Sequence, residues 1–224
     1  MKTFIIVRTA SVRLPKKCLL PFGECQTVLE HVIKRCKTFN FEPVICTTLH
    51  PSDDILEEIA EDEKVKIYRG VIDNVEARLI GCARKFKAAA FHALDCDDPF
   101  FCPEEIYRST KTMLLRGLHK LGPTQSSTEY ALGMMGTSYA LGFEGEDILG
   151  ESAHVYRKWR LTLDYQEDYW LLATLARHHG YNASRWIIDE QAGSPLTVIN
   201  QFRMKEWKEK QCRETNSLNI AETN

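Results

Sequence analysis

Short apolar runs rich in β-branched residues alternate with longer amphipathic segments through the first half of the chain, and this alternation limits the fold more than any other feature. It is typical of βαβ units and a mainly parallel sheet. Right-handed crossovers place the loops after the strands along one edge, where α/β proteins bind ligands. We therefore predict an α/β fold with a mainly parallel mixed sheet and helices on both faces. The predicted strands and their following helices are 3–7 and 27–37, 43–47 and 53–62, and 65–68 and 74–86.

A fourth unit and a less regular second half complete the predicted organisation. A strand at 88–94 runs into Asp95, and a helix begins after Pro103. Glycines interrupt residues 121–150, where we predict loops and one or two antiparallel strands, one of them at 138–143. The remaining predictions are a strand at 159–164 and helices at 167–178, 182–191 and 196–210.

Length and composition indicate one domain. A chain of 224 residues with 44% hydrophobic content can bury a full core, so we predict a single domain over 1–212 and a mobile polar tail at 213–224. The net charge of −2 argues against non-specific nucleic-acid binding. Because there is neither a targeting pattern nor an apolar run of membrane-spanning length, we expect a cytoplasmic protein without membrane insertion. Eight cysteines without a Cys-x-x-Cys pair are expected to be reduced thiols.

A cationic loop follows the first predicted strand. It carries Arg8, Ser11, Arg13, Lys16 and Lys17. Arginine offers a planar fork of donors, lysine a compact charge, and a serine hydroxyl with nearby backbone amides can complete an anion nest. A solvated lysine-rich turn is the alternative, and it fits Lys16 best. At the ligand-binding edge of an α/β sheet, the loop predicts a polyphosphate site.

An acidic cluster follows the fourth predicted strand. Successive residues of an extended segment point to opposite sides, so Asp95 and Asp97 can share a side while Asp98 points away. Carboxylates this close repel one another unless a cation compensates, and hard oxygen ligands suit Mg²⁺. The alternative is that these acids cap the following turn.

A second strand-terminal acid lies far along the chain. Asp164 ends the predicted strand at 159–164, as Asp97 is expected to end its own strand. Two such carboxylates can converge on one metal ion, which makes Asp164 a candidate ligand. Asp168 is better explained as a favourable charge at the N-terminus of the next helix.

The motifs together resemble those of the cytidylyltransferase family that includes CMP-KDO synthetases, acylneuraminate cytidylyltransferases and the spore-coat polysaccharide protein F group. The family opens with Ala-Arg-x-x-Ser-x-Arg-Leu-Pro-Gly-Lys, and residues 7–17 match all of it but the first residue and the glycine, which is Lys16 here. Residues 68–78 resemble Phe-Arg-Gly-x-x-Asp-Asp-Val-x-x-Arg. Residues 96–103 resemble Gly-Asp-x-Pro-Leu-Ile-Asp-Pro, with Cys102 in place of the second aspartate.

The resemblance implies a Rossmann-like, glycosyltransferase-A-type nucleotidyltransferase. It implies transfer of CMP from CTP to an acidic sugar or related surface-polysaccharide precursor, release of pyrophosphate, a Mg²⁺ cofactor and a homodimer. The segment at about 121–159 corresponds to the acceptor side. The implied catalytic residues are Arg8, Lys17 and Asp97, the nucleotide-binding residues are Arg8, Ser11, Arg13, Lys17, Thr47, Thr48, Arg69, Asp73 and Arg78, and the metal ligands are Asp97 and Asp164.

Two alternatives stay open. The same nucleotide site can serve transfer of CMP or another nucleotide to a phosphate or phosphonate acceptor, for which the candidate cations are Arg116, Arg157, Lys158 and Arg160. A non-catalytic member of the family would bind nucleotide without transferring it. Cys102 and the weak match of the acceptor side motivate that second alternative.

Overall fold

The computed structural model describes residues 1–122, 136–142, 160–184, 198–203 and 206. Within these ranges the chain forms six β-strands, five α-helices and a helical segment at 198–203. The strands are β1 (Lys2–Ile6), β2 (Glu42–Thr48), β3 (Lys66–Gly70), β4 (Ala90–Asp95), β5 (Lys120–Leu121) and β6 (Thr137–Ala140). The helices are α1 (Val28–Thr38), α2 (Ile55–Asp62), α3 (Val75–Lys85), α4 (Pro103–Arg116) and α5 (Gln166–His179).

The strands form one mixed sheet in the order β3-β2-β1-β4-β6-β5. Strand β1 pairs in parallel with both β2 and β4, and β2 pairs in parallel with β3. Strand β6 runs antiparallel to β4 and to β5. The predicted mainly parallel mixed sheet is confirmed. Because the strand order reverses between β1 and β4, the carboxyl ends of these two strands flank the crevice where open α/β sheets bind ligands.

Helices cover both faces of the sheet, as predicted. Adjacent residues of β1 show this, because Ile5 packs into a core with α1, α2 and α5, whereas Phe4 packs on the opposite face with α3. The ring of Phe4 stacks on that of Phe91 from β4 at a centroid distance of 4.4 Å. A buried two-sided parallel sheet explains why its strands read as nearly continuous apolar runs.

The predicted strand at 159–164 is wrong over the residues that the structure describes. Arg160 makes an isolated bridge, and residues 161–164 have no ladder. Leu161 and Leu163 are buried, so their alternation imitates a strand, but the segment is held by a backbone bond from Leu163 N–H to the Asp97 carbonyl (2.7 Å), by hydrogen bonds to side chains and by ion pairs. Asp97 itself lies in a turn beyond β4, which ends at Asp95.

Several other predictions extend beyond the described residues. In the helix predicted at 182–191, the structure describes only residues 182–184, and these are not helical. Residues 185–191 lie outside the described ranges. The helix predicted at 196–210 is seen at 198–203, and the tail at 213–224 also lies outside. In the part of the chain that is described, no helix is long and apolar enough to cross a membrane.

Lys16 adopts a left-handed backbone conformation, with φ 52° and ψ 30°, just before the short 3₁₀ turn Lys17–Leu19. The cytidylyltransferase family that the chain resembles has glycine at this position, and glycine is the residue that adopts a left-handed backbone conformation without steric cost. Lys16→Gly is expected to raise the free energy of unfolding by about 1 kcal/mol. Urea unfolding measures it, with Lys16→Ala as the control that removes the charge and keeps the strain. Equal stability of the two variants would contradict the strain.

Candidate active site

A cavity of about 770 Å³ lies beyond the carboxyl ends of β1 and β4, on the crevice that the topology creates. Its wall is formed by the loop after β1, the turn after β4 and the segment that leads into α3. The residues predicted from the sequence that line it are Arg8, Ser11, Arg13, Lys17, Asp73, Arg78 and Asp97.

Lys17 lies at the centre of the site. Its Nζ donates to Asp97 Oδ2 (2.5 Å), to Asp164 Oδ1 (3.0 Å) and to the Leu163 carbonyl (2.7 Å). Burial alone would lower the pKa of Lys17, but attraction to Asp97 and Asp164 raises it above its usual value. The two acids that the sequence places far apart therefore meet at one cation.

Both oxygens of the Asp164 carboxylate accept hydrogen bonds from positively charged side chains. Its Oδ1 accepts from Arg13 Nη2 (2.7 Å) as well as from Lys17, and its Oδ2 accepts from Arg160 Nη2 (2.8 Å). Burial would raise the pKa of this carboxyl, but Lys17, Arg13 and Arg160 together hold it below the usual value. The carboxylate stays ionised and tightly oriented.

Three carboxylates after β4 crowd together. Asp95, Asp97 and Asp98 each offer an oxygen within 4.8 Å of the others. Asp95 and Asp97 share the cavity side, as expected, whereas Asp98 is buried and is not among the cavity-lining residues, although one of its oxygens stays close to theirs. Desolvation at the cavity wall and the nearby charge of Asp97 raise the pKa of Asp95, which is exposed to the cavity, to about 7, and burial with the charge of Asp97 raises the pKa of Asp98 well above its usual value. Such a cluster has the hard donors and the unbalanced negative charge that a divalent cation stabilises.

Asp95 is a cavity residue that the implied site omits. It lines the cavity beside Asp97, as the alternation of a strand end already suggested. The signal that pointed to it was its position as the last residue of β4.

Arg8 and Ser11 line the cavity in different ways. The Ser11 hydroxyl accepts from Leu14 N–H (3.4 Å) and so helps to shape the loop. Arg8 is exposed, and within the described residues it makes no ion pair. Its guanidinium is thus available to an anionic ligand.

Asp73 and Arg78 add two further charged residues, one acidic and one basic, to the wall of the cavity. Arg78 is buried, and its Nη1 donates to the carbonyls of Val71 (2.8 Å) and Ile72 (3.3 Å). These bonds fix the segment between β3 and α3. Asp73 is exposed at the cavity, and Ile72 and Val75 add an apolar surface beside it.

Thr47 and Thr48 are fully buried and do not line the cavity. Their hydroxyls donate to Asp53 Oδ2 at 3.1 and 2.5 Å, and Asp53 Oδ1 accepts from the amide and hydroxyl of Thr9, both at 2.8 Å. Burial would raise the pKa of Asp53, but these hydrogen bonds lower it. Instead of facing a ligand, the threonine side chains tie the end of β2 to the cationic loop.

Replacing Asp53 by asparagine is expected to lower the free energy of unfolding by about 2 kcal/mol near neutral pH, because an amide cannot accept all four bonds. The stability that a depressed carboxyl pKa provides is present above the unfolded value of about 4 and is lost as the pH falls through the native value. The difference between wild type and Asp53→Asn should therefore be constant above about pH 5 and shrink as the pH falls below about 4 in urea unfolding. A difference independent of pH would refute the ionic role.

Arg69 is engaged away from the cavity. It donates to the carbonyls of Thr48 (3.0 Å) and His50 (2.9 Å) and pairs with Asp54 and Glu57. The structure therefore does not bring its side chain to the cavity, although Arg69 does contact Thr48, another predicted nucleotide-binding residue.

Of the four candidate cations for a phosphate-bearing acceptor, the structure describes Arg116 and Arg160. The side chain of Arg160 is fully buried between Asp164 and Asp168, so the expectation that it is available to an acceptor is wrong. Arg116 is the last residue of α4, and Arg157 and Lys158 lie outside the described residues. Cys102 is buried immediately before α4.

Solved nucleotidyltransferases share this fold. A cytidylyltransferase from Leptospira borgpetersenii superposes with a TM-score of 0.74 at 24% identity, over 89% of this chain and 95% of that chain. Molybdopterin-guanine dinucleotide biosynthesis protein A from Archaeoglobus fulgidus gives 0.55 at 14% identity, over 80% and 100%. 4-diphosphocytidyl-2C-methyl-D-erythritol synthase gives 0.50 at 13% identity, over 78% and 97%. No protein-family model and no curated protein matches the chain. The similarity confirms the predicted α/β fold of the glycosyltransferase-A type.

Proposed function

We propose that this chain is a CTP-dependent cytidylyltransferase, which transfers CMP to an acidic sugar or related surface-polysaccharide precursor and releases pyrophosphate. One observation carries the proposal. The cationic loop after β1 and Asp97 line one cavity, and Asp164, which is not among the lining residues, is bound to Arg13 and Lys17 of that loop. That cavity lies at the switch point of a fold shared with a cytidylyltransferase.

The cationic loop is suited to the triphosphate. Arg8 is free for a phosphate oxygen, while Arg13 and Lys17 are held by carboxylates that a phosphate can replace. Charge-assisted bonds from arginine and lysine to phosphate are among the strongest polar contacts in proteins. Ser11 and the backbone amides of the loop complete the nest.

Asp97 and Asp164 fit a shared Mg²⁺ ion. One cation, the ammonium of Lys17, already contacts both carboxylates at 2.5 and 3.0 Å. Asp97 also belongs to the crowded trio with Asp95 and Asp98, which offers further hard oxygen donors. Bound there, Mg²⁺ would neutralise charge on the phosphates of the nucleotide.

The residues of the chain act mainly by alignment and charge. Arg8, Arg13 and Lys17 would hold the phosphates while an acceptor oxygen attacks the α-phosphorus and pyrophosphate leaves. Positioned cations stabilise the negative charge on the transferring and leaving groups, and fixing nucleophile and leaving group in line lowers the entropic cost. Little covalent chemistry is needed from the protein itself.

The second candidate acceptor, a phosphate or phosphonate, has weaker support. It requires cations beside the nucleotide site, and Arg160 is paired with Asp164 and Asp168 instead. A homodimer, which the resemblance implies, is also part of the proposal, and sedimentation equilibrium tests it.

Calorimetry with each of the four nucleoside triphosphates and Mg²⁺ tests the first half of the proposal, and CTP should bind most tightly. Pyrophosphate release from CTP is then measured across acidic sugars, sugar phosphates and phosphonates. Release with an acidic sugar supports the proposal. Release with phosphonates alone would favour the second candidate, and tight CTP binding without release from any acceptor would indicate a non-catalytic protein.

A further inference from the structure

Asp168 is fully buried and holds Asp164 from within the protein. Its Oδ2 accepts from the backbone N–H groups of Asp164 and Tyr165, both at 3.0 Å. A favourable charge at the N-terminus of α5 accounts for the bond to Tyr165. It does not account for the bond to Asp164, which lies outside the helix.

Arg160 extends this support to the carboxylate of Asp164. Its Nη2 donates to Asp164 Oδ2 (2.8 Å) and to Asp168 Oδ2 (3.1 Å), and its Nε donates to Asp168 Oδ1 (2.9 Å). The guanidinium has no exposed surface. Both the backbone and the carboxylate of Asp164 therefore depend on Asp168, directly or through Arg160.

Asn200 joins the network from the helical segment 198–203. Its Nδ2 donates to Asp168 Oδ1 (2.8 Å) and to the Arg160 carbonyl (3.0 Å). Asn200 is buried and does not line the cavity. Asn200 is thus connected to Asp164 through Asp168, by two successive hydrogen bonds.

We propose that Arg160, Asp168 and Asn200 are positioning residues that fix the Asp164 carboxylate for the metal-bound nucleotide. The inference rests on the proposed function, because it takes Asp164 as a metal ligand. Hydrogen bonds to ligating carboxylates orient them, and loss of such partners typically lowers metal affinity or activity about 10- to 100-fold. Stability alone does not explain the buried pair of Arg160 and Asp168, because well-packed apolar side chains often stabilise a fold as well as a buried ion pair does.

Asn200→Leu tests the proposal without altering any residue that lines the cavity. Mn²⁺ binding is measured by electron paramagnetic resonance with CTP at saturation, and the variant should bind Mn²⁺ about tenfold more weakly than wild type. Binding of CTP without metal should be unchanged, because the cationic loop is intact. Thr110→Val is the matched control: it removes a buried hydrogen bond to Ser138, away from the cavity, and should leave Mn²⁺ affinity unchanged.

Arg160→Lys provides a second variant should Asn200→Leu fail to fold. Lysine keeps the charge but lacks the planar fork that reaches Asp164 and Asp168 together, so Mn²⁺ binding should again weaken. Equal Mn²⁺ affinity in the wild type, the folded variants and the control would overturn this inference alone. A wild type that bound neither CTP nor Mn²⁺ would overturn the proposed function with it.

Discussion

Asp97→Asn is expected to leave a folded protein whose turnover with Mg²⁺ and CTP has fallen at least about a hundredfold. Asp97 lines the cavity, contacts Lys17 and belongs to the cluster with Asp95 and Asp98, so it is the acid shared by both sets of candidate metal ligands. Asparagine keeps the size of the side chain but loses the charge that a divalent cation requires. Pyrophosphate release with the acceptor that the wild type uses measures the loss.

Asp62→Asn is the matched control for this change, because Asp62 is exposed at the end of α2. The control should retain wild-type turnover and metal dependence. Native turnover with native Mg²⁺ dependence in Asp97→Asn would exclude Asp97 as a ligand. Asp95→Asn and Asp164→Asn then distinguish the two ligand sets, because the variant with the larger loss identifies the partner of Asp97.

Lys17→Met should produce two opposite changes in binding. Affinity for CTP should fall about a hundredfold, because each charge-assisted bond to phosphate contributes about 1.5–3 kcal/mol. Affinity for Mn²⁺ without nucleotide should rise, because Asp97 and Asp164 lose the ammonium that they share. Calorimetry with CTP and electron paramagnetic resonance with Mn²⁺ alone measure the two effects.

Lys37→Met is the matched control for Lys17→Met, since it removes a lysine that pairs with Glu63 at the surface. Neither affinity should change in the control. If Lys17→Met bound CTP and Mn²⁺ as the wild type does, Lys17 would be a structural ion-pair partner and not a phosphate ligand.

The central strands of the parallel part of the sheet were predictable because they are buried on both faces. Strands β1, β2 and β4 carry nearly continuous apolar runs, and helices begin at residues with matching signals, such as Thr27, whose side chain accepts from Glu30 N–H. The same pattern wrongly predicted a strand at 159–164. Leu161 and Leu163 alternate as in a strand, but no neighbouring strand pairs with them in the described chain.

The position of the site was predictable from the sequence, but some of the hydrogen bonds around it were not. Polar loops after β1 and β4 must converge at the switch point, which places the cationic loop beside Asp97. The sequence pattern does not reveal which hydroxyls face inward. Thr47 and Thr48 were therefore expected at the nucleotide, whereas they bind Asp53, and the role of Asp168 was attributed to its helix alone.

Diffraction from crystals grown with CTP and Mn²⁺ would locate both the nucleotide and the metal, because anomalous scattering identifies manganese without ambiguity. We expect one manganese peak within coordination distance of Asp97 and Asp164, with the triphosphate on Arg8, Arg13 and Lys17. A nucleotide bound elsewhere, or a metal that contacts neither acid, would contradict this expectation.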